Sequence, residues 1–177
     1  MNDSASSVPT PGQLIEVNFE KDSHKVFEGA FIKATAGLYV MLQFDSDRGR
    51  FDGIAVFRNK NVMQWRTWLK REEKRIKLDN RQEVMGQYDF ASMKTFYSVL
   101  QQLSSRELVG VYTDPQWVSF YVGKVLRLDR SSVLLRLVNT KGTWSNSKKL
   151  ALTDIHHMVL GDSYEKGLMR KLRRFDD

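Results

Sequence analysis

Two stretches of the chain, 14–29 and 108–123, lie over one another without a gap. Leu14-Ile15-Glu16-Val17 falls on Leu108-Val109-Gly110-Val111, and Val26-Phe27-Glu28-Gly29 falls on Phe120-Tyr121-Val122-Gly123. Ile32 then meets Leu126. After one inserted residue, Leu38, Val40 and Leu42 meet Val133, Leu135 and Leu137. Few residues are identical; what repeats is the apolar pattern. A repeat defines the building unit before any single element is assigned. Here the unit has about 75 residues and is used twice, which suits two small domains in a chain of 177.

Domains of that size bury a limited share of their surface, so the copies are expected to pack together or to form a homo-oligomer. The hydrophobic fraction, 41%, is that of an ordinary globular protein. No apolar run is long enough for a transmembrane helix, and the first residues have neither the charged start nor the apolar core of a signal peptide. These features point to the cytoplasm and away from a membrane. The chain has no cysteine, which excludes disulfides and thiolate metal sites. Its net charge of +7 favours anionic partners, nucleic acid above all.

Residues 1–12 are polar with two prolines, and read as a disordered leader. Short runs with strand periodicity follow at 14–19, 27–34, 38–44, 53–57 and 62–65, giving a first small barrel over 13–65. Residues 66–104 read as a helical linker. Its clearest element is an amphipathic helix capped by Asp89, with Phe90, Met93, Phe96, Tyr97, Leu100 and Leu103 on one face. A second small barrel is expected over 105–177, with strands at 108–112, 118–128, 133–138, 149–153 and 155–160. It ends in a basic tail in which 164–174 form a short helix carrying Leu168 and Leu172.

This layout resembles the Sm-like fold, the small barrel of RNA-associated proteins. Gly123-Lys124-Val125-Leu126-Arg127-Leu128-Asp129 is similar to the first half of the Sm signature, in which a glycine bends the second strand and an aspartate follows six residues later. Phe57-Arg58-Asn59-Lys60-Asn61-Val62 is similar to the second half, with Asn59 in place of the glycine of Arg-Gly. Thr35 and Val133 stand where the family has its aspartate and base-reading asparagine, and Thr153-Asp154 replace Arg-Gly, so neither copy holds a complete uridine pocket. The resemblance implies a mainly β chain with a few helices: two tandem five-stranded Sm-like or SH3-like barrels joined by a helical linker. It also implies RNA as the partner.

The candidate phosphate contacts are Arg58 and the basic segment Arg66, Lys70, Arg71, Lys74 and Arg75, interleaved with Trp65 and Trp68. Arg and Lys neutralise phosphates while an exposed indole stacks on a base. The alternative is a solvated helix face, since Glu72 and Glu73 lie among these cations. Arg170 and Lys171 belong to a second cluster in the tail, where cations also complement a helix dipole. Trp117 follows a turn at Asp114-Pro115 and is a candidate partner contact. Asp45, Asp47 and Asp52 lack the twelve-position calcium pattern and read as a polar turn, so no metal is expected. His156 and His157 are adjacent, and on a strand they would point to opposite faces. No nucleophile motif or Gly-rich phosphate loop is present, so neither catalysis nor a cofactor is expected. The reading is a non-catalytic module binding single-stranded RNA; the alternative is a protein-interaction scaffold that offers edge strands or aromatic patches.

Overall fold

The computed structural model describes residues 8–20, 26–69, 80–103, 107–116 and 118–173. Ten antiparallel strands form: β1 (Leu14–Asn18), β2 (Val26–Ala34), β3 (Leu38–Asp45), β4 (Arg50–Arg58), β5 (Gln64–Thr67), β6 (Val109–Tyr112), β7 (Phe120–Leu128), β8 (Ser132–Val138), β9 (Trp144–Ala151) and β10 (His157–Leu160). Between β5 and β6 lie a short helix α1 (Arg81–Met85), a 3-10 turn (Phe90–Ser92) and a second short helix α2 (Phe96–Leu100). A C-terminal helix α3 (Ser163–Arg173) follows β10.

The strands do not close into two barrels. They form one open sheet in the order β5-β1-β2-β3-β4-β10-β6-β7-β8-β9. This corrects the Sm-like and SH3-like expectation. The physical reason is the fate of β4: its second edge pairs with β10 of the other half, and nothing is left to close either half on itself. Most strand positions follow the apolar alternation along the chain; β9 starts at Trp144, five residues before the expected Lys149, because its 145–149 stretch is polar and exposed.

Register shows how closely the halves correspond. Ile15 pairs with Gly29 as Val109 pairs with Gly123. Both second strands bulge at the same place, between Phe31 and Lys33 and between Val125 and Arg127. Beyond the bulge, Lys33 faces Val40 as Arg127 faces Leu134, so the one-residue insertion expected after Ile32 is absent. The matching residue of Val40 is Leu134, not Leu135. A one-residue slip exchanges the two faces of a strand. The slip is tempting because β3 is apolar on both faces: Leu38, Val40 and Leu42 enter one buried cluster, while Tyr39 and Met41 enter another.

The linker is core rather than connection. Val84, Met93, Phe96, Val99 and Leu100 lie in the same cluster as Leu38, Val40, Leu42, Ile54 and Val56 of the first half and Val109, Val111, Val133 and Leu135 of the second. The single amphipathic helix expected from Asp89 is broken in two. Asp89 does cap a turn, accepting from the Ala91 N–H at 3.0 Å, but the turn ends at Ser92. Thr95 then begins α2 with a capping box completed by Ser98.

The halves join at four rungs: Phe57 with His157, Val56 with Met158, Ala55 with Val159 and Ile54 with Leu160. His157 is 0% exposed. Its ring stacks on Tyr112 at 4.2 Å and 14°, and lies 5.0 Å from Phe19. Burial first, and then the neighbouring His156, push its pKa down to about 2, against a small opposing pull from Asp114. A histidine that stays neutral in the folded chain and takes a proton near pH 6.5 when unfolded costs stability as pH falls below that value.

Two measurements follow from the fold. A Cβ at Gly29 would overlap the Leu42 carbonyl, and one at Gly123 would lie 2.5 Å from the Arg136 carbonyl oxygen. Gly29→Ala and Gly123→Ala are therefore expected to destabilise at the upper end of the usual range, about 3 kcal/mol, in urea melts. For His157, stability is expected to fall by about 1.4 kcal/mol per pH unit below 6.5. Burial also raises the Glu165 pKa, which acts in the opposite sense by adding stability as pH falls. The quantity to compare is therefore the pH slope of the chain with that of His157→Phe between pH 7 and 5, where the variant is expected to lose the histidine's part.

Candidate functional site

Among the described residues, a concentration of positive charge lies on one face of β7, β8 and β9. Alternation along the strands and the pairing register place Lys124 opposite Arg136 and Arg136 opposite Ser147. Arg127 faces Leu134, which in turn faces Lys149. A strand spacing of about 4.8 Å puts Arg127 and Lys149 about 10 Å apart, with Leu134 between them. Arg127 is 73% exposed and pairs with Asp129 at 3.2 Å. Arg136 and Lys149 are exposed, and Lys124 is half-buried. The Arg136 guanidinium lies 4.6 Å over the Trp144 ring, a cation–π contact.

Two like charges directly opposite on neighbouring strands destabilise a sheet. Lys124 and Arg136 are such a pair, and neither has an ion-pair partner among the described residues. The corresponding face of the first half has no such problem. Its matching residues include Ala30 for Lys124, Leu42 for Arg136 and Val56 for Lys149, and these are buried under the linker. In the second half α3 covers only part of the face, where Leu168 and Leu172 pack with Val122, Val138 and Trp144. The rest is open and positive.

Of the site residues expected from the sequence, those among the described residues lie off this face. Arg58 is half-buried at the joint between the halves: its guanidinium donates to the Ile155 carbonyl at 3.1 Å and to the Leu152 carbonyl, and lies 4.8 Å over Phe96. Such a group is committed to the fold. Arg66, on β5, pairs with Glu16 at 2.5 Å. Lys70, Arg71, Lys74 and Arg75 lie outside the described residues, as does Trp117. Trp65 packs on Tyr39 at 5.2 Å, and Trp68 is buried. Arg170 and Lys171 are exposed on α3, where Lys171 donates to the Thr140 carbonyl at 3.1 Å.

His156 and His157 do not point to opposite faces. β10 begins at His157, so His156 precedes the strand, and the two Nδ1 atoms are 2.9 Å apart. Among the described residues no group of three or more His, Cys, Asp or Glu side chains is placed to hold a metal ion.

The basic face was missed because its cations are spread one or two to a strand, whereas the linker cations form a visible run. A charge count over a longer window finds it. From Pro115 to Thr153 there are seven Lys and Arg residues (Lys124, Arg127, Arg130, Arg136, Lys141, Lys148 and Lys149) and one acidic residue, Asp129. Strand alternation then selects which of them share a face. No described helix is long and apolar enough to cross a membrane. Compared with known proteins, the chain matches no family model, no curated protein and no solved structure.

Proposed function

We propose that the chain is a non-catalytic nucleic-acid-binding module that uses the open face of β7, β8 and β9, with single-stranded RNA as its ligand. One observation carries the reading: Lys124 and Arg136 oppose one another across β7 and β8, and neither has an ion-pair partner among the described residues. A polyanion relieves that repulsion, and its bound counterions are released as the cations replace them. Lys124, Arg127, Arg136 and Lys149 are the phosphate contacts in this reading. Leu134, between Arg127 and Lys149, offers an apolar surface to a base or sugar.

The scaffold reading has its own support in the outer edges of β5 and β9, which no described strand covers. Salt separates the two. Four phosphate contacts on a single strand give a slope near −3 in log K against log salt, or roughly a fiftyfold loss between 50 and 200 mM. An apolar protein interface shows no such loss.

The test is fluorescence anisotropy with mixed-sequence single-stranded RNA and DNA at both salt concentrations. Binding of RNA is expected at low salt, with the steep salt loss. Arg136→Glu with Lys149→Glu is expected to remove most of it, and Arg66→Ala to leave it unchanged. Absence of binding at 50 mM salt, or binding that Arg136→Glu with Lys149→Glu leaves intact, sinks the proposal.

A further inference from the structure

We propose that a cavity beside α3, sharing no residue with the basic sheet face, binds a small monocarboxylate with an apolar body. The cavity measures about 310 Å³, at the small end of the ~300–1,000 Å³ typical of ligand sites. Its apolar lining comes from Tyr88, Leu103, Leu108 and Met169. Lys166 and Arg170 stand at its rim, one turn apart on the same side of α3. Both are exposed, and neither forms an ion pair within 4.0 Å among the described residues, although Lys166 lies in the field of Asp162.

The cavity is rigidly built. Glu165 is 3% exposed, and its two oxygens accept the Gly110 and Gly161 N–H groups at 2.6 Å each. It therefore ties the start of β6 to the end of β10 and is not available as a ligand group. Burial pushes its pKa up, and the two backbone N–H donors pull the other way. Tyr88 presses its hydroxyl against Gly161, whose φ of 69° and lack of a side chain allow the approach. Asp162 caps the start of α3, accepting from the Glu165 N–H at 2.8 Å, which fixes where Lys166 and Arg170 emerge.

The charge pattern selects the ligand. Two cations at the mouth favour an anion, and an apolar interior favours a hydrocarbon body. Glu107 and Asp162, whose carboxylates act on the Tyr88 wall of the cavity, penalise a second negative charge. A phenylacetate-like molecule meets all three conditions: the carboxylate faces Lys166 and Arg170 while the ring lies against Tyr88 and Met169.

The experiment uses the full chain labelled with ¹⁵N, titrated with phenylacetate, phenylacetamide and phenyl phosphate. Phenylacetate is expected to shift the amide signals of Tyr88, Leu108 and Met169 saturably. Phenylacetamide is expected to bind at least roughly tenfold more weakly, which corresponds to about 1.4 kcal/mol, and phenyl phosphate also more weakly. Lys166→Glu with Arg170→Glu is expected to give a similar loss. Leu103→Trp, which fills the cavity, is expected to abolish the shifts while the β-sheet signals stay in place. Failure of phenylacetate to saturate, shifts confined to other residues, equal binding of the amide, or tighter binding of the phosphate would each overturn the assignment. None of these outcomes depends on whether the sheet face binds RNA.

Discussion

Four backbone rungs between Ile54–Phe57 and His157–Leu160 turn two five-stranded halves into one sheet. Everything else is arranged around that pairing. It places Val56 and Met158 in one cluster and Ala55 and Val159 in another, so the joint is packed from both faces. It gives β4 a partner for its second edge, which removes the need for either half to close. Side chains reinforce it from outside the ladder: Arg58 and Asn61 both bond carbonyls of the 152–156 segment that leads into β10. His157 seals one end among aromatic rings and brings a pH cost with it.

The joint also explains why the two halves differ. Once they are fixed side by side, the linker lies against one face of the first half, and that face becomes core: Ala30, Leu42 and Val56 are apolar because they are covered or packed. The matching face of the second half receives only α3 over part of its area. Free of the demand to be apolar, it carries Lys124, Arg136 and Lys149 at the corresponding positions. Corresponding backbone positions are therefore core in one half and charged surface in the other. Strand register shows this correspondence and residue identity does not.

Much of the fold was legible in the residues. Eight of the ten strands and the tail helix lie close to where period-two and helical spacing put them, because those strands have a buried face. β5 and β9 are largely exposed, and they start two residues after and five residues before the expected positions. Their arrangement was not legible. Nothing local to Ile54-Ala55-Val56-Phe57 says whether its free edge meets a strand of its own half or of the other, and the family resemblance supplied the wrong closure. The linker misled for another reason: Phe90, Met93 and Phe96 keep a helical spacing, yet the Thr95–Ser98 capping box starts a new helix within it. The candidate interface was hidden because strand cations share a face only when register is known. Arg58 looked like a site residue because its environment, two carbonyls and an aromatic ring, is made by segments distant in sequence.

A joint between a fourth strand of one half and a fifth strand of the other is head-to-tail, and such a contact propagates unless something stops it. The free ends are the strands that would continue it, β9 and β5. Where β4 offers Ile54, Ala55 and Val56 to its partner, the corresponding stretch of β9 is Ser147, Lys148 and Lys149. Where β10 offers Met158, Val159 and Leu160, β5 has Trp65, Arg66 and Thr67. Charged side chains on an edge strand oppose the addition of another strand, because pairing would desolvate them without a counter-charge. Lys149 then meets two demands at once. On the edge it resists a further copy of the sheet, and on the open face it adds to the positive surface beside Arg127. A residue under both constraints has little freedom to become apolar, which accounts for a cation at a position whose counterpart, Val56, is wholly buried.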